Sequence, residues 1–513
     1  VEVEQVVERR RFLTGSVLGT AGLALAGVPT ITSCSPSPPV PTDGTFTHGV
    51  ASGDPHPDSV VLWTRVRPEP VAGALASTAV SVQWQIATDA TFDRPVATGV
   101  AITDAGRDWT VKVIADGLDP ATTYLYRFVL GDTASPVGRT RTAPSGDVDR
   151  LRFAVASCSN YGYGNFHAYR HLLHRNDLDA VIHLGDYIYE YASPGFGETY
   201  GEARNLEPRH EILTVDDYRA RYGHYRADPD LQELHRQHPI IHVWDDHEFA
   251  DDPIIGGAAN HQPERDGDWS ARVAAALQAY TEWMPTRIDG NRIFRRLDYG
   301  NLATIVGLDR QRRFLWPDAA DAGEYLGAEQ AAWLDQQVGS IDSRWLVLAQ
   351  QTTFGPTRPD LVSGGWPAAD RRRLLDAAAG TPSDLVVLTG DIHRFHAIDV
   401  VTDPATYDPV AGTGSGAVEF ACGSISSPGS SATGTGRSVR WNTGFTCGYA
   451  VVDLTPERVE CDFYGFPDLA KLLGFLPQES WLAGWGAAHG TPVLSGRRGA
   501  LGGQNRPPLA ALV

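Results

Sequence analysis

Four times along this chain a short run patterned like a buried strand stops, and a cluster of metal-binding residue types begins at once. Residues 151–156 lead to Ser157, Cys158, Ser159 and Asn160. Residues 180–184 lead to Gly185, Asp186, Tyr187, Ile188, Tyr189 and Glu190. Residues 240–244 lead to Asp245, Asp246, His247 and Glu248, and residues 385–389 to Gly390, Asp391, Ile392 and His393. Open α/β sheets bind ligands beyond the carboxyl ends of their strands. Four such ends, far apart in sequence, can therefore converge on one site. Charges just past a buried strand otherwise need partners, and solvation is a poor account of four in a row. The glycines before Asp186 and Asp391 allow sharp backbone turns there.

From residue 151 on, strand patterns alternate with helical patterns over residues 166–175, 270–283, 328–338 and 369–379. That alternation predicts an α/β layered core over residues 150–466. Residues 45–145 read differently: the runs 60–65, 80–87, 109–115 and 124–130 are short, β-branched and aromatic, with Gly, Asp and Pro between them. The stretch 118–124, ending in Tyr124, resembles the tyrosine corner of fibronectin type III sandwiches. This region is expected to be an all-β, fibronectin III-like sandwich with a structural role. Its His48 and His56 are read as turn or packing residues. Segments 191–213 and 411–436 read as surface loops. The tail 467–513, with Leu- and Trp-containing residues 472–485, is a candidate lid over the site.

At 513 residues the chain is longer than one core usually holds, so two domains plus extensions are expected. Its net charge is −19 and its only lysines are Lys112 and Lys471. Such a surface repels a nucleic-acid polymer, so no stable nucleic-acid partner is expected; bound cations would still let it take a phosphate ester. The five cysteines show no CxxC spacing, which argues against a zinc ribbon. An oxidising envelope would allow one disulfide among Cys422, Cys447 and Cys461, unpaired by the sequence. No GxSxG motif or P-loop anchors a serine-esterase or triphosphatase reading.

Arg9, Arg10, Arg11, Phe12 and Leu13 precede a Gly- and Ala-rich apolar run. This resembles a twin-arginine export signal, which implies that the export machinery carries the folded protein. Residues 31–34 fit a lipobox ending at Cys34. Residues 1–34 are thus expected to be a signal and 35–44 a Pro- and Ser-rich tether. The protein is expected to be exported, to a periplasmic, cell-surface or extracellular position. Cys34 would be a lipid anchor; cleavage without lipid is the alternative.

The mixture of thiol, phenol, imidazole and carboxylate bears on the metal. Cys158, Tyr189 and His393 favour a transition ion, and Asp246 and Asp391 a second, harder ion. Asp186, with two oxygens, can bridge both. Cys158 as a buried apolar cysteine and Tyr189 as a packing residue are the bland alternatives. In order, Cys158, residues 185–190, residues 244–248 (Trp-Asp-Asp-His-Glu) and residues 390–393 resemble the motifs of the calcineurin-like metallophosphoesterases, and specifically the PhoD-like alkaline phosphatase and phosphodiesterase family. Flanking residues 260–263, 278–285, 326–334 and 424–428 agree.

The resemblance implies a metallophosphoesterase core with Fe3+ held by Cys158, Asp186, Tyr189 and His393. It implies Ca2+, or another divalent ion, shared through Asp186 and held by Asp246 and Asp391. A metal-bound hydroxide would attack a phosphate ester, with Asp186 and His247 as catalytic residues. His247 would orient the phosphate, protonate the leaving oxygen, or support a ligand carboxylate. Two departures stand out. Asp251 and Asp252 occupy places where the family usually has Asn-Asn or Asn-Asp. Residues 308–312 replace the usual L-[DE]-T-R, with neither Arg310 nor Arg312 in register. They motivate an alternative reading, a metal-containing phosphate-ester binding protein with weakened catalysis.

Overall fold

The structure, a computed structural model, describes residues 45–67, 79–197, 204–316, 325–355, 365–402, 406–430, 436–467, 478–503 and 506. The expected export signal, Cys34, the tether and Leu472 of the tail lie outside the described residues.

The centre of the molecule is a ten-stranded sheet. Its middle strands, Leu151–Ala156, Ala180–His183 and Pro239–His242, run parallel, with Val155 opposite Ile182 and Ile182 opposite Ile241. Every residue in them is buried, which is why they read as nearly continuous apolar runs. A second sheet of seven strands has a parallel centre of Ala303–Gly307, Trp345–Gln350, Asp384–Thr389 and Ser415–Ala421.

Side chains alternate across each strand, and this alternation builds the layers. Phe153, Val155, Ile182 and Ile241 meet Ile305, Val347, Val386 and Phe420 between the two sheets. Ala154, Val181 and Ile240 face the other way, onto Tyr218, Tyr222, Trp269 and Trp283 of the helices Val215–Arg226 and Trp269–Trp283. Leu346, Leu348 and Val387 face the helices Ala328–Gly339 and Ala368–Ala379. The result is an α/β core of helix, sheet, sheet and helix. Its helices start where their caps dictate: Thr214 and Asp217 form a capping box, and Asp268 accepts the Ala271 N–H.

The N-terminal strands Val60–Arg65, Val80–Ala87, Thr110–Ala115 and Thr123–Leu130 form as expected. The Tyr124 hydroxyl accepts the Asp119 N–H at 2.9 Å. These strands are not walled off from the core. Val50–Gly53 pairs parallel with Pro239–His242, placing Ser52 opposite Pro239, and brings Val60–Arg65 and Thr110–Ala115 into the ten-stranded sheet. Their other face packs Val50, Val60 and Leu62 onto Trp84, Tyr126 and Phe128. His48 packs edge-on against Trp283.

Two expectations are corrected. The described part of the tail is not a lid: Ser480–Ala488 and Thr491–Arg497 form the outermost strands of the large sheet, with Trp485 opposite Cys461. Ala483, Ala487 and Leu494 are held there because they join the core between the sheets. No disulfide joins Cys422, Cys447 and Cys461, whose thiols are buried. Cys447 lies in the core on the helix-covered face of the large sheet, and Cys461 in the core on the opposite face. Cys422 shares the second core but donates its thiol to the Val155 carbonyl at 3.1 Å.

Gly53 sits where three segments crowd: a Cβ there would lie 2.6 Å from the Ile240 carbonyl oxygen and closer still to that of Pro285. Gly53→Ala is expected to lower stability by about 1–3 kcal/mol, read as a fall in the thermal unfolding midpoint.

Candidate metal centre

The three parallel strands of the first sheet and one strand of the second end in loops that touch. Cys158, Asp186, Asp391 and His393 all have positive φ, at 61°, 52°, 65° and 51°. Residues other than glycine rarely adopt this conformation, and it persists where the surroundings over-determine it. Here the loops fix one another. The Cys158 N–H donates to the Gly185 carbonyl at 3.1 Å, Ser159 N–H to Asp186 at 2.8 Å, and Ser426 N–H to Cys158 at 3.2 Å. Gly185 permits this closeness, since a Cβ on it would lie 2.6 Å from Asp245 Cβ.

The carboxylate of Glu248 ties two of these loops together. It accepts the N–H groups of Tyr187 at 2.6 Å, Asp245 at 2.7 Å and Asp186 at 3.0 Å. Asp186 and Asp245 are thus presented by the side chain that ends the Trp-Asp-Asp-His-Glu motif.

Two donor groups result. The thiol of Cys158, a carboxylate oxygen of Asp186 and a ring nitrogen of His393 form one; Asp186, Asp246 and His247 form the other. Within each group the donor atoms lie within 4.8 Å of one another. The Tyr189 hydroxyl joins the first, 3.1 Å from His393 Nε2 and 3.3 Å from Asp186 Oδ2. The Ser427 hydroxyl donates to Tyr189 at 2.9 Å, and His393 Nδ1 donates to the Pro428 carbonyl at 3.0 Å. That second bond fixes the tautomer, so the lone pair of Nε2 faces the group. Asp391 lies outside both groups, though its charge acts on Asp246 and Arg310.

The electrostatics favour cations. Burial pushes Asp186, Asp245 and Asp246 above the usual carboxylate range; neighbouring acids add to it, and His247 opposes it at Asp186 and Asp246. Burial and the Asp186 charge also push the Cys158 thiol and the Tyr189 phenol far up. Asp186 Oδ1 is buried without a hydrogen-bond partner. Bound metal ions would hold such a set anionic, and the residues present fit them. The thiol, phenol and imidazole of the first group suit a transition ion, and the carboxylates of the second a harder one.

Around this centre Glu190 and Asn260 are residues to which the sequence alone assigned no role. His247 Nδ1 donates to Glu190 Oε2 at 2.8 Å, and Glu190 Oε1 accepts the Asp251 N–H at 2.8 Å and the Asn260 amide at 2.5 Å. Burial pulls the His247 imidazole down, but Glu190, Asp246 and Asp186 outweigh it and hold the pKa well above its ordinary value. The Asp252 N–H donates to Asp246 Oδ2 at 2.9 Å, and the Asp251 carboxyl adjoins Tyr191. The two arginines separate cleanly. Arg310 reaches Asp245 at 3.4 Å, within electrostatic range of Asp246 and Asp391. Arg312 turns away to Glu329 and Asn291.

Two donor groups sharing one carboxylate, at the strand ends of a two-sheet α/β core, define the class: a candidate two-cation metalloenzyme centre. Comparison with known proteins supplies the family. The PhoD-like phosphatase family matches residues 153–463, and its N-terminal domain matches residues 33–144. The chain is 36% identical to alkaline phosphatase D of Bacillus subtilis (strain 168) over 465 residues, spanning 82% of this chain and 78% of that one. It superposes on the solved structure of PhoD with a TM-score of 0.76 at 31% identity, covering 90% of this chain and 94% of that one. This chain belongs to the PhoD-like phosphatase family.

Glu248→Gln leaves every metal donor in place but sets an amide N–H₂ against backbone N–H groups. The variant is expected to lose about 1–3 kcal/mol of stability and roughly tenfold or more in metal affinity. Thermal unfolding and metal analysis after dialysis check the two effects.

Proposed function

We propose that this protein is an exported two-metal phosphoesterase that hydrolyses phosphodiesters, phosphomonoesters or both. Its membership of a phosphatase family makes it a phosphoric ester hydrolase. The two-metal reading is carried by one observation: Asp186 belongs to both donor groups. We assign Fe3+ to Cys158, Asp186, Tyr189 and His393. We assign Ca2+, or another divalent ion, to Asp186 and Asp246 with Asp391 nearby.

A bound pair of ions lowers the pKa of water and neutralises the oxygens of a transferring phosphoryl group. The chain's own residues do the rest. Asp186 sets the spacing of the two positions. His247, oriented by Glu190, is placed to hold a phosphoryl oxygen or to pass a proton to the leaving oxygen. We assign the ester-gripping guanidinium to Arg310, on the side of Asp245 and Asp246.

The export reading rests on the Arg9–Arg10 motif and the lipobox at Cys34, with the twin-arginine machinery as partner. Among the described residues no helix is long and apolar enough to cross a membrane. We read residues 45–145 as a fibronectin III-like sandwich and 150–466 as the metallophosphoesterase domain, with no stable nucleic-acid partner. The Asp251 carboxyl, where the family usually carries an amide, favours the second reading, a phosphate-ester binding protein with weakened catalysis.

Protein loaded with iron and calcium is expected to hydrolyse a chromogenic diester or monoester, and to stop on chelation. The ratio of the two rates sets the substrate class. Asp186→Asn is expected to lose at least about a thousandfold in kcat with its fold retained by circular dichroism. No turnover of either ester, with both metals confirmed bound, would give the binding-protein reading the lead. Cys158→Ala with full activity and metal content would remove Cys158 from the ligand set.

A further inference from the structure

Three histidines that the metal centre does not use meet in the core just before its loops. His183 ends the strand that leads to Asp186, and His242 ends the strand that leads to Asp246. The two strands are parallel neighbours, and His183 stands opposite His242 in register, their ring centroids 5.6 Å apart. His235, from the helix Pro229–Gln237, stacks on His242 at 5.8 Å. The Tyr187 ring packs against all three, 5.4 Å from His183, 5.4 Å from His242 and 5.7 Å from His235. All four side chains are buried. The Tyr187 hydroxyl bonds His235 Nε2 at 2.8 Å, and the Tyr169 hydroxyl bonds His183 Nε2 at 2.9 Å. Both ring nitrogens of His242, and the Nδ1 atoms of His183 and His235, have no hydrogen-bond partner.

Nothing in this cluster stabilises a proton. The full charge beside it is already positive. The Arg226 guanidinium is buried, lies over the Trp63 ring at 4.2 Å, and meets no carboxylate with any of its nitrogens. It acts on His235, on His242 and on His48. Arg295 also acts on His242 and is itself paired with Asp54. Asp228 acts on Tyr169 and Tyr187 but on none of the three imidazoles, and it is bonded to Arg204 at 2.8 Å. Among the described residues no carboxylate favours the charged form of His183, His235 or His242.

A buried imidazole without an acid partner stays neutral. Burial takes His183 down to about 3. Burial first, then the neighbouring cations and imidazoles, holds His235 and His242 well below the ordinary value. Unfolding returns each ring to its ordinary value of 6.5. The stability that the neutral rings contribute is therefore complete above that pH and is lost as pH falls below it.

We propose that this cluster is an acid-sensitive latch on the metal centre. Neutral, it holds together the two strand ends that lead into the Asp186 and Asp246 loops. Charged, it drives those ends apart, and the loops release their cations. The release step rests on the two-metal reading; the latch itself does not.

The test compares the metal-loaded full chain with His242→Phe and His235→Gln between about pH 7.5 and about pH 5. Urea unfolding gives the unfolding constant at each pH, and metal analysis after dialysis gives the bound iron and calcium. The wild-type constant is expected to rise steeply below about pH 6.5, with metal lost over the same range. In each variant the slope is expected to be shallower by up to about tenfold per pH unit, with metal loss moved to lower pH. Glu248, Asp309 and Glu419, which burial holds above the usual carboxylate range, act in the opposite sense but equally in all three proteins. Glutamine at 235 keeps a polar partner for the Tyr187 hydroxyl and suits a helix, so His235→Gln decides the question if His242→Phe does not fold. Equal slopes in wild type and variants overturn the proposal, and so does metal loss at an unchanged pH. A wild type that holds no metal removes the two-metal reading, while the difference in slope still reads the latch.

Discussion

Everything near the active end of this molecule depends on holding several carboxylates close together away from water. Asp186, Asp245, Asp246 and Glu248 are buried within one another's electrostatic reach. An isolated buried carboxylate is costly, and a cluster more so. Three devices offset the cost without metal. Glu248 is hydrogen-bonded by three backbone N–H groups, Asp245 by Gln311 at 2.5 Å and by Arg310, and Glu190 by His247, an N–H and an amide. Asp186 accepts the Tyr189 hydroxyl at Oδ2, its Oδ1 has no hydrogen-bond partner, and the residue belongs to both donor groups. Most of the internal hydrogen bonds go to the supporting acids, and Asp186 Oδ1 is left without one.

Strain follows the same division. Four of the candidate metal-site residues have left-handed backbone, while the supporting residues Glu190 and Glu248 do not. A ligand placed immediately after a strand must reverse its direction to reach a centre shared with other strands. Contacts between loops hold that reversal, with a glycine before Asp186 and another before Asp391 leaving room. The Ser424–Pro428 segment supplies the last restraints, at Tyr189 and His393. Family resemblance marked this segment without giving it a task.

Local pattern made the strand bounds legible. The runs at residues 60–65, 80–87 and 151–156 match observed strands end to end, because burial on both faces or one writes itself into short apolar periodicity. The candidate donor residues stood out in the sequence for a related reason: polar types directly after such runs have few other uses. Pairing between distant strands was not. Nothing local in residues 50–53 says that they lie beside 239–242, and the tail's Trp485 carries no mark of its place opposite Cys461. The task of Glu248 was not legible either, because it rests on backbone N–H groups of two separate loops. Arg310 was out of register with the family pattern, and only the turn after Leu308 brings it beside Asp245. Gln330 supports that turn by bonding both the N–H and the carbonyl of Asp309.

The strand order carries a consequence for how the protein is made. Leu151–Ala156, which presents Cys158, has Ala180–His183 on one side and Thr446–Leu454 on the other, with Ala450 opposite Val155. Its first neighbour is translated almost immediately, and its second only 295 residues later by sequence position (Ala450 against Val155). The His393 donor also arrives late. A nascent chain on the ribosome therefore carries Cys158 and Asp186 long before the sheet that encloses them is complete, and domains close as units once their last strand is available. Enclosure of Cys158 and Asp186 is accordingly a step of the finished polypeptide, and a truncation before residue 446 removes the strand Thr446–Leu454 that pairs with Leu151–Ala156.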